Sequence, residues 1–218
     1  MAQRPKDHVR QAILDAARSE LAAHGLAGMT LATVAARAGT SVGNVYKYFP
    51  GKDELFQAAI PTDLVRELEA KLEERVHALG ANRDVDRLAA DHPYRAASSD
   101  VVTFALAHRD AVLFLLGRSG GSPHAAFADR VAGRLTKLAI TYAEGAYPAA
   151  MLGAGKRRAL LRIYGGFVSQ IEAILRDEHS ELSVRAALEH LSDYHLAGLR
   201  AFFRAAERDT DQRRGPSK

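Results

Sequence analysis

Residues 30–52, TLATVAARAGTSVGNVYKYFPGK, constrain this chain more than any other stretch. Two short helical patterns flank a turn of three residues. Thr30 precedes the first, and its hydroxyl can accept a bond from a free backbone N–H of the first turn. Met29 and Val34 are spaced as a hydrophobic staple around that cap. Leu31, Val34, Ala35 and Ala38 form an inner face. Gly39 ends this helix and opens the turn, Ser41 caps the next helix, and Pro50 and Gly51 stop it near Tyr48. Val45 and Phe49 point back into a small core. An earlier helix over about residues 7–24, ending at Gly25, carries the apolar stripe Ile13, Ala16, Ala17 and Leu21. Three helices with a tight turn between the last two form a helix-turn-helix head, a unit that presents one helix end to the DNA major groove.

The residues on the second helix suit that role. Gly43 keeps the approaching surface low. Asn44 can make a paired donor–acceptor contact with adenine. Tyr46 and Tyr48 offer hydroxyls to phosphate, and Lys47 and Lys52 supply charge. Thr30, Thr40 and Ser41 add hydroxyls at helix ends, where free N–H groups and the dipole favour phosphate. Val42, in the first turn, completes the candidate DNA-facing set. The formal net charge of +4 is too small to indicate nucleic acid by itself. Placement is what matters: from Gly39 to Lys52 the charges are Lys47 and Lys52, with no acid before Asp53.

This segment resembles the DNA-binding region of the TetR family of bacterial transcriptional regulators. The shared pattern is an alanine-rich helix ending in Ala-Gly (Ala35 to Gly39), a Ser cap (Ser41), a short helix ending Tyr-x-x-Phe (Tyr46 to Phe49), and a Lys-Asp-x-Leu opening of the following helix (Lys52 to Leu55). The match covers about 50 residues at the N-terminus. The resemblance implies a homodimer joined through the last two helices, about 154–207. It also implies a cavity for a small-molecule effector among the middle helices, and release from a DNA operator on binding it. A regulator without a small-molecule effector, constitutive or controlled by a protein partner, is the alternative.

The remainder reads as all-α. Apolar residues recur at spacings of three and four, with proline and glycine as punctuation. Helix 4, about 52–78, is a connector that Pro61 kinks or splits. A polar stretch over 80–100 holds a short helix and a loop. Four long patterns follow at about 98–117, 123–147, 154–179 and 183–207, the first apolar nearly all round and expected to be a central buried helix. The expected division is a helix-turn-helix domain over 1–52, a helical effector-binding and dimerisation domain over 53–208, and a disordered tail over 209–218. Phe104, Phe114, Tyr142, Tyr164 and Phe167 are foremost core aromatics. With His108 and Gln170 they are the candidate lining of the implied cavity. Gly165 and Gly166, inside a helix, suit close helix–helix approach at a subunit interface, with a local kink beside the cavity as the alternative.

Other chemistry finds little support. There are no cysteines, which excludes disulfides and thiolate chemistry. The polar N-terminus is no signal peptide, and no apolar run spans a bilayer, so a cytoplasmic protein without membrane contact is expected. Glu74 and His77 form a single Glu-x-x-His, whereas a bundle di-metal site needs two such pairs. Ser192, Asp193 and His195 are neighbours in sequence, which does not make a triad. No catalytic residue, metal or cofactor is expected.

Overall fold

A computed structural model describes residues 5–214, and every regular element among them is helical. None of these helices is long and apolar enough to cross a membrane. The described residues fall into two compact units. One takes in the chain up to Glu67 together with His108–Phe127; the other comprises Leu68–Ala107 and the chain from Ala128.

In the first unit, α1 (Pro5–Gly28) breaks at Gly25, where φ is +67°. A Cβ there would lie 3.2 Å from the Arg118 carbonyl oxygen, so both conformation and contact favour glycine. Thr30 caps α2 (Leu31–Arg37): its hydroxyl accepts from the Thr33 N–H at 3.1 Å, and the Thr33 hydroxyl accepts from the Thr30 N–H at 3.2 Å. Met29 and Val34 are fully buried on either side of that cap, as a staple requires. Gly39, at φ +64°, ends α2. Its N–H donates to the Ala36 carbonyl, and the Thr40 N–H donates to the Ala35 carbonyl. This pair of bonds is the Schellman closure. Ser41 then caps α3 (Val42–Tyr48) by accepting from the Asn44 N–H at 3.1 Å. Pro61 divides the expected connector into α4 (Lys52–Ala59) and α5 (Thr62–His77).

The expectation of one helix over 98–117 needs correction. The chain forms α6 (Pro93–Ala107), leaves helical geometry at His108 (φ −121°, ψ 31°), and continues as α7 (Arg109–Leu113) and a π turn, Phe114–Arg118. The segment is apolar nearly all round because it serves two cores. Phe104 and Ala105 are buried in the second unit. Ala111, Val112, Phe114 and Leu115 are buried in the first, packed beside α1. Phe114 meets the Phe56 ring edge-on at 5.7 Å, and the Ser19 hydroxyl donates to Asp110 at 2.5 Å.

The second unit gathers α6 with α8 (Phe127–Ala146), α9 (Ala154–Asp177) and α10 (Glu181–Arg214). Leu79, Val85, Leu88, Tyr94 and Leu196 form one of its apolar clusters. Arg200 pairs with Asp86 at 2.7 Å, and Arg204 with Asp84 at 2.9 Å, fastening the 84–86 segment to α10. The expected disordered tail is also corrected: α10 continues helically to Arg214, and residues 215–218 lie outside the described ones. Its last turns have partners. Thr210 is buried and accepts from the Met151 N–H, while Lys156 pairs with Asp209 at 2.7 Å. That ion pair also gives Lys156 a role, and Arg157 donates to the Leu152 carbonyl at 2.8 Å.

Candidate nucleic-acid interface and bundle cavity

The head exposes its second helix. Val45 and Phe49 are buried and fix α3 from beneath, with the Arg10 guanidinium over the Phe49 ring at 5.4 Å. Val42 and Tyr46 point outward at 38% and 54% exposure, one turn apart on the outer face of α3. Ser41, Gly43 and Lys47 are exposed beside them, as is Thr30 at the start of α2. Thr40, Asn44, Tyr48 and Lys52 are half-buried. An added Cβ at Gly43 would meet nothing within 4 Å, so this spot is low and open.

Charge on this face is unevenly committed. Arg37 is held by Glu20 at 2.8 Å and Arg18 by Asp15 at 3.0 Å. Lys47 and Lys52 have no hydrogen-bonded or ion-pair partner among the described residues. These two uncommitted cations, with Lys52 at the N-terminus of α4, which no side chain caps, are complementary to phosphate. Asn44 is only partly available, since its Nδ2 donates to the Thr40 hydroxyl across the turn at 2.8 Å. Its Oδ1 and second N–H remain for a base edge or a phosphate.

Glu20 was not legible as a positioning residue, although a signal existed. It falls on the same stripe as Ile13, Ala17 and Leu21, and an acid there requires a buried partner. Burial would raise its pKa, but hydrogen bonds from Arg37 and Thr33 and the charges of Arg37 and His24 outweigh it, leaving the carboxyl below its ordinary range. The Glu20–Arg37 pair thereby fixes the end of α2 against α1.

The second unit contains a cavity of about 20 Å³, room for a single water. Val76, Leu79, Leu135, Ala139, Leu196 and Leu199 supply apolar wall. Arg75, Tyr94, Tyr142, Tyr164 and His195 supply the polar groups. Of the aromatic and polar residues expected at such a site, Tyr142 and Tyr164 line it directly. Phe167 is buried and stacks on the His195 ring at 4.1 Å. Phe104 is buried elsewhere in this unit, under the Lys71 ammonium at 5.8 Å. His108 and Phe114 belong to the first unit, because the chain breaks at His108 and turns its next helix into the head core. Gln170 is exposed on α9.

Arg75 and His195 went unrecognised as partners. The Arg75 guanidinium donates to Ser98 Oγ at 2.9 Å, to Ser192 Oγ at 2.8 Å and to the Tyr94 hydroxyl, and lies 4.7 Å over the Tyr94 ring. None of those acceptors carries charge. His195 is buried, its Nε2 has no hydrogen-bond partner, and Tyr164 meets its ring edge-on at 4.9 Å. Burial, reinforced by the Arg75 charge, pushes the imidazole pKa down to about 4. Each lies on an otherwise apolar row: Leu68, Leu72, Arg75, Leu79 on α5 and its end, and Leu191, His195, Leu199 on α10. A polar residue on a buried row is the signal that could have identified both. No group of three His, Cys, Asp or Glu gathers for a metal among the described residues.

Residues 13–59 match the sequence profile of bacterial regulatory proteins, tetR family. No curated protein shows significant similarity to the chain. Among solved structures, a TetR-like transcriptional regulator from Rhodococcus sp. RHA1 is 22% identical, with 87% of this chain and 96% of that one aligned at a TM-score of 0.51. A TetR-family regulator from Streptomyces coelicolor A3 is 16% identical, with 93% of this chain and 98% of that one aligned at a TM-score of 0.35. The first of these likenesses supports the same all-helical fold.

Proposed function

We propose, from the premise that this chain is a member of the tetR family of bacterial regulatory proteins through its N-terminal head, that it is a homodimeric, ligand-responsive transcriptional repressor. The observation that carries the reading is the outward face of α3. There a capped, buried-core helix exposes Val42 and Tyr46 beside the uncommitted cations Lys47 and Lys52. Thr30, Thr40, Ser41, Gly43, Asn44 and Tyr48 complete the proposed DNA contacts. Backbone contacts fix position, and Asn44 is the residue best equipped to read a base.

Dimerisation through α9 and α10 is favoured by the apolar side chains they leave in water. Leu182 and Tyr194 are 81% and 78% exposed, and Leu161 and Ile163 are also exposed. Gly165 and Gly166 have open space where a Cβ would go, which leaves their helix surface free for close approach by a second copy. A two-fold dimer presents two α3 helices to successive major grooves about 34–36 Å apart. A small molecule that favours another spacing of the two helices weakens DNA binding by its differential affinity for the two states. A role on operator DNA fits a cytoplasmic protein.

A second reading, regulation by a protein partner or constitutive binding, is favoured by the small volume of the bundle cavity. Selection of bound duplexes from a random pool tests the DNA-binding proposal, with a palindrome expected and an absence of enrichment opposing it. Screening a small-molecule library for both thermal stabilisation and loss of DNA affinity separates the two modes of control. Compounds that do both support the first, and a library without effect supports the second.

A further inference from the structure

We propose that the cavity between α5, α8, α9 and α10 is the binding site of a small organic carboxylate, with the Arg75 guanidinium as its counter-ion and His195 Nε2–H as a second donor. The inference rests on the ligand-responsive reading above and names the chemical class of the effector.

The argument begins from the hydrogen-bond inventory at the polar end of the cavity. A guanidinium has five N–H donors and no acceptor. Arg75 directs three bonds at Ser98, Ser192 and Tyr94, all neutral hydroxyls, and forms no ion pair among the described residues. Tyr94 and Ser192 also share a bond at 3.1 Å, so only one of those two hydroxyl hydrogens is used between them. The other remains a donor. Tyr142 donates its hydroxyl to the Asn82 carbonyl. His195 Nε2 is buried without any partner. With the imidazole in its Nε2–H tautomer the polar end offers more donors than acceptors, and Arg75 holds a positive charge there without an ion-pair partner among the described residues.

A half-buried cation without a counter-ion and a buried imidazole nitrogen without a partner are each unfavourable. Arg75 and Phe167 are also in contact range, at 6.0 Å, so the cation and the His195–Phe167 stack belong to one cluster. A carboxylate resolves both costs at once. It accepts two parallel N–H bonds from the guanidinium fork and one from the imidazole. The remaining wall, Val76, Leu79, Leu135, Ala139, Leu196 and Leu199, is apolar and suits a hydrocarbon or aromatic body. A neutral amide of the same skeleton brings its own N–H donors into a site that already has too many. An amine brings a second positive charge to Arg75.

The present volume of about 20 Å³ admits such a molecule only if side chains move. Arg75 is the natural element to move. It is long, it is held by hydroxyl bonds alone, and a carboxylate offers its guanidinium a stronger replacement. Binding then selects a conformation with a larger cavity, which is the differential affinity that a switch requires.

The test uses the full chain and two matched series: benzoate, phenylacetate and octanoate, against benzamide, phenylacetamide and octanamide. Thermal unfolding and affinity for the selected duplex are both read. At least one carboxylate is expected to raise Tm by about 5 °C or more at saturation and to weaken DNA binding, while its amide does neither. Arg75→Met is expected to lower affinity for that carboxylate more than about tenfold, and Arg75→Lys to retain part of it. The carboxylate–amide comparison on the unaltered chain stands even if Arg75→Met does not fold. Amides that match or exceed the carboxylates, or a response that survives Arg75→Met, overturn the anion assignment while leaving ligand control intact. Silence from both series also overturns it, and the library screen then judges ligand control independently.

Discussion

Burial of His195 beside the Arg75 charge makes stability depend on pH between the ring's unfolded and folded pKa values. The imidazole has an ordinary pKa of 6.5 and is pushed down to about 4 by burial and by the Arg75 charge. Arg75 is the charged group that acts on it, and the Tyr164 and Phe167 rings packed against it carry no charge. The unfolded ring takes up a proton as pH falls through about 6.5, while the buried ring resists until about 4. The unfolded state therefore binds more protons across that window, and stability falls as pH falls. The full contribution is present above pH 6.5. The separation corresponds to about 3 kcal/mol between the limits, of which about 2 kcal/mol is lost by pH 5. For a chain of this size that loss lowers Tm by roughly 4–8 °C. Carboxylates elsewhere contribute their own pH dependence, so the quantity to measure is a difference. Urea or thermal unfolding of the unaltered chain and of His195→Phe is followed from pH 7.5 to pH 5. The phenyl ring preserves the stack on Phe167 and cannot titrate. The unaltered chain should lose about 2 kcal/mol more than the variant over that range. Equal losses would mean that the ring protonates in the folded state and that the cavity is wet and open there.

Four further outcomes follow from the head and from the exposed helix faces. Lys52→Ala should weaken binding to all duplexes alike and reduce the slope of log K against log salt by about one for each subunit, about two for the dimer, measured by fluorescence anisotropy; an unchanged slope removes Lys52 from the phosphate contacts. Asn44→Ala should relax preference at one base position by about 1–3 kcal/mol when half-site variants are compared; uniform loss would confine Asn44 to its bond with Thr40. Ser41→Ala removes the α3 cap and should cost about 1 kcal/mol of head stability in urea unfolding, with no effect meaning that water caps the helix as well. Replacing Tyr194 with Arg, alone or with Leu182→Glu, should yield monomers in sedimentation, because both side chains lie in water within one protomer; intact dimers place the interface elsewhere. Leu191, by contrast, is 8% exposed within the protomer, so a polar residue there would disturb the fold before it reported on assembly.

The head was legible because its signals are local. Thr30, Gly39, Ser41 and Pro61 each act within one turn of helix, through caps, a left-handed residue and a missing N–H, and the helices end where those residues are. What escaped sequence reasoning is long-range. The apolar run Val101–Leu116 shows that its residues are buried, but periodicity does not say in which core. Only the break at His108 sends Phe104 to one unit and Phe114 to the other. The end of α10 was missed because its last turns are charged. Their helix is supported by Lys156 and by the Met151 N–H, more than fifty residues away in sequence. The cavity was half legible. Aromatics mark a bundle interior, so Tyr142 and Tyr164 were found. Arg75 and His195 lie 120 positions apart and each resembles an ordinary polar residue on its own helix.

The central claim is that α3 and the start of α4 present uncommitted cations to duplex DNA. The most direct measurement is the equilibrium affinity of the full chain for duplex DNA across a series of salt concentrations, alongside Lys47→Ala/Lys52→Ala. The account predicts a linear fall of log K with log salt, and a shallower line with weaker binding for the double variant. No measurable affinity for any duplex, or one that neither salt nor the two substitutions alter, would contradict it.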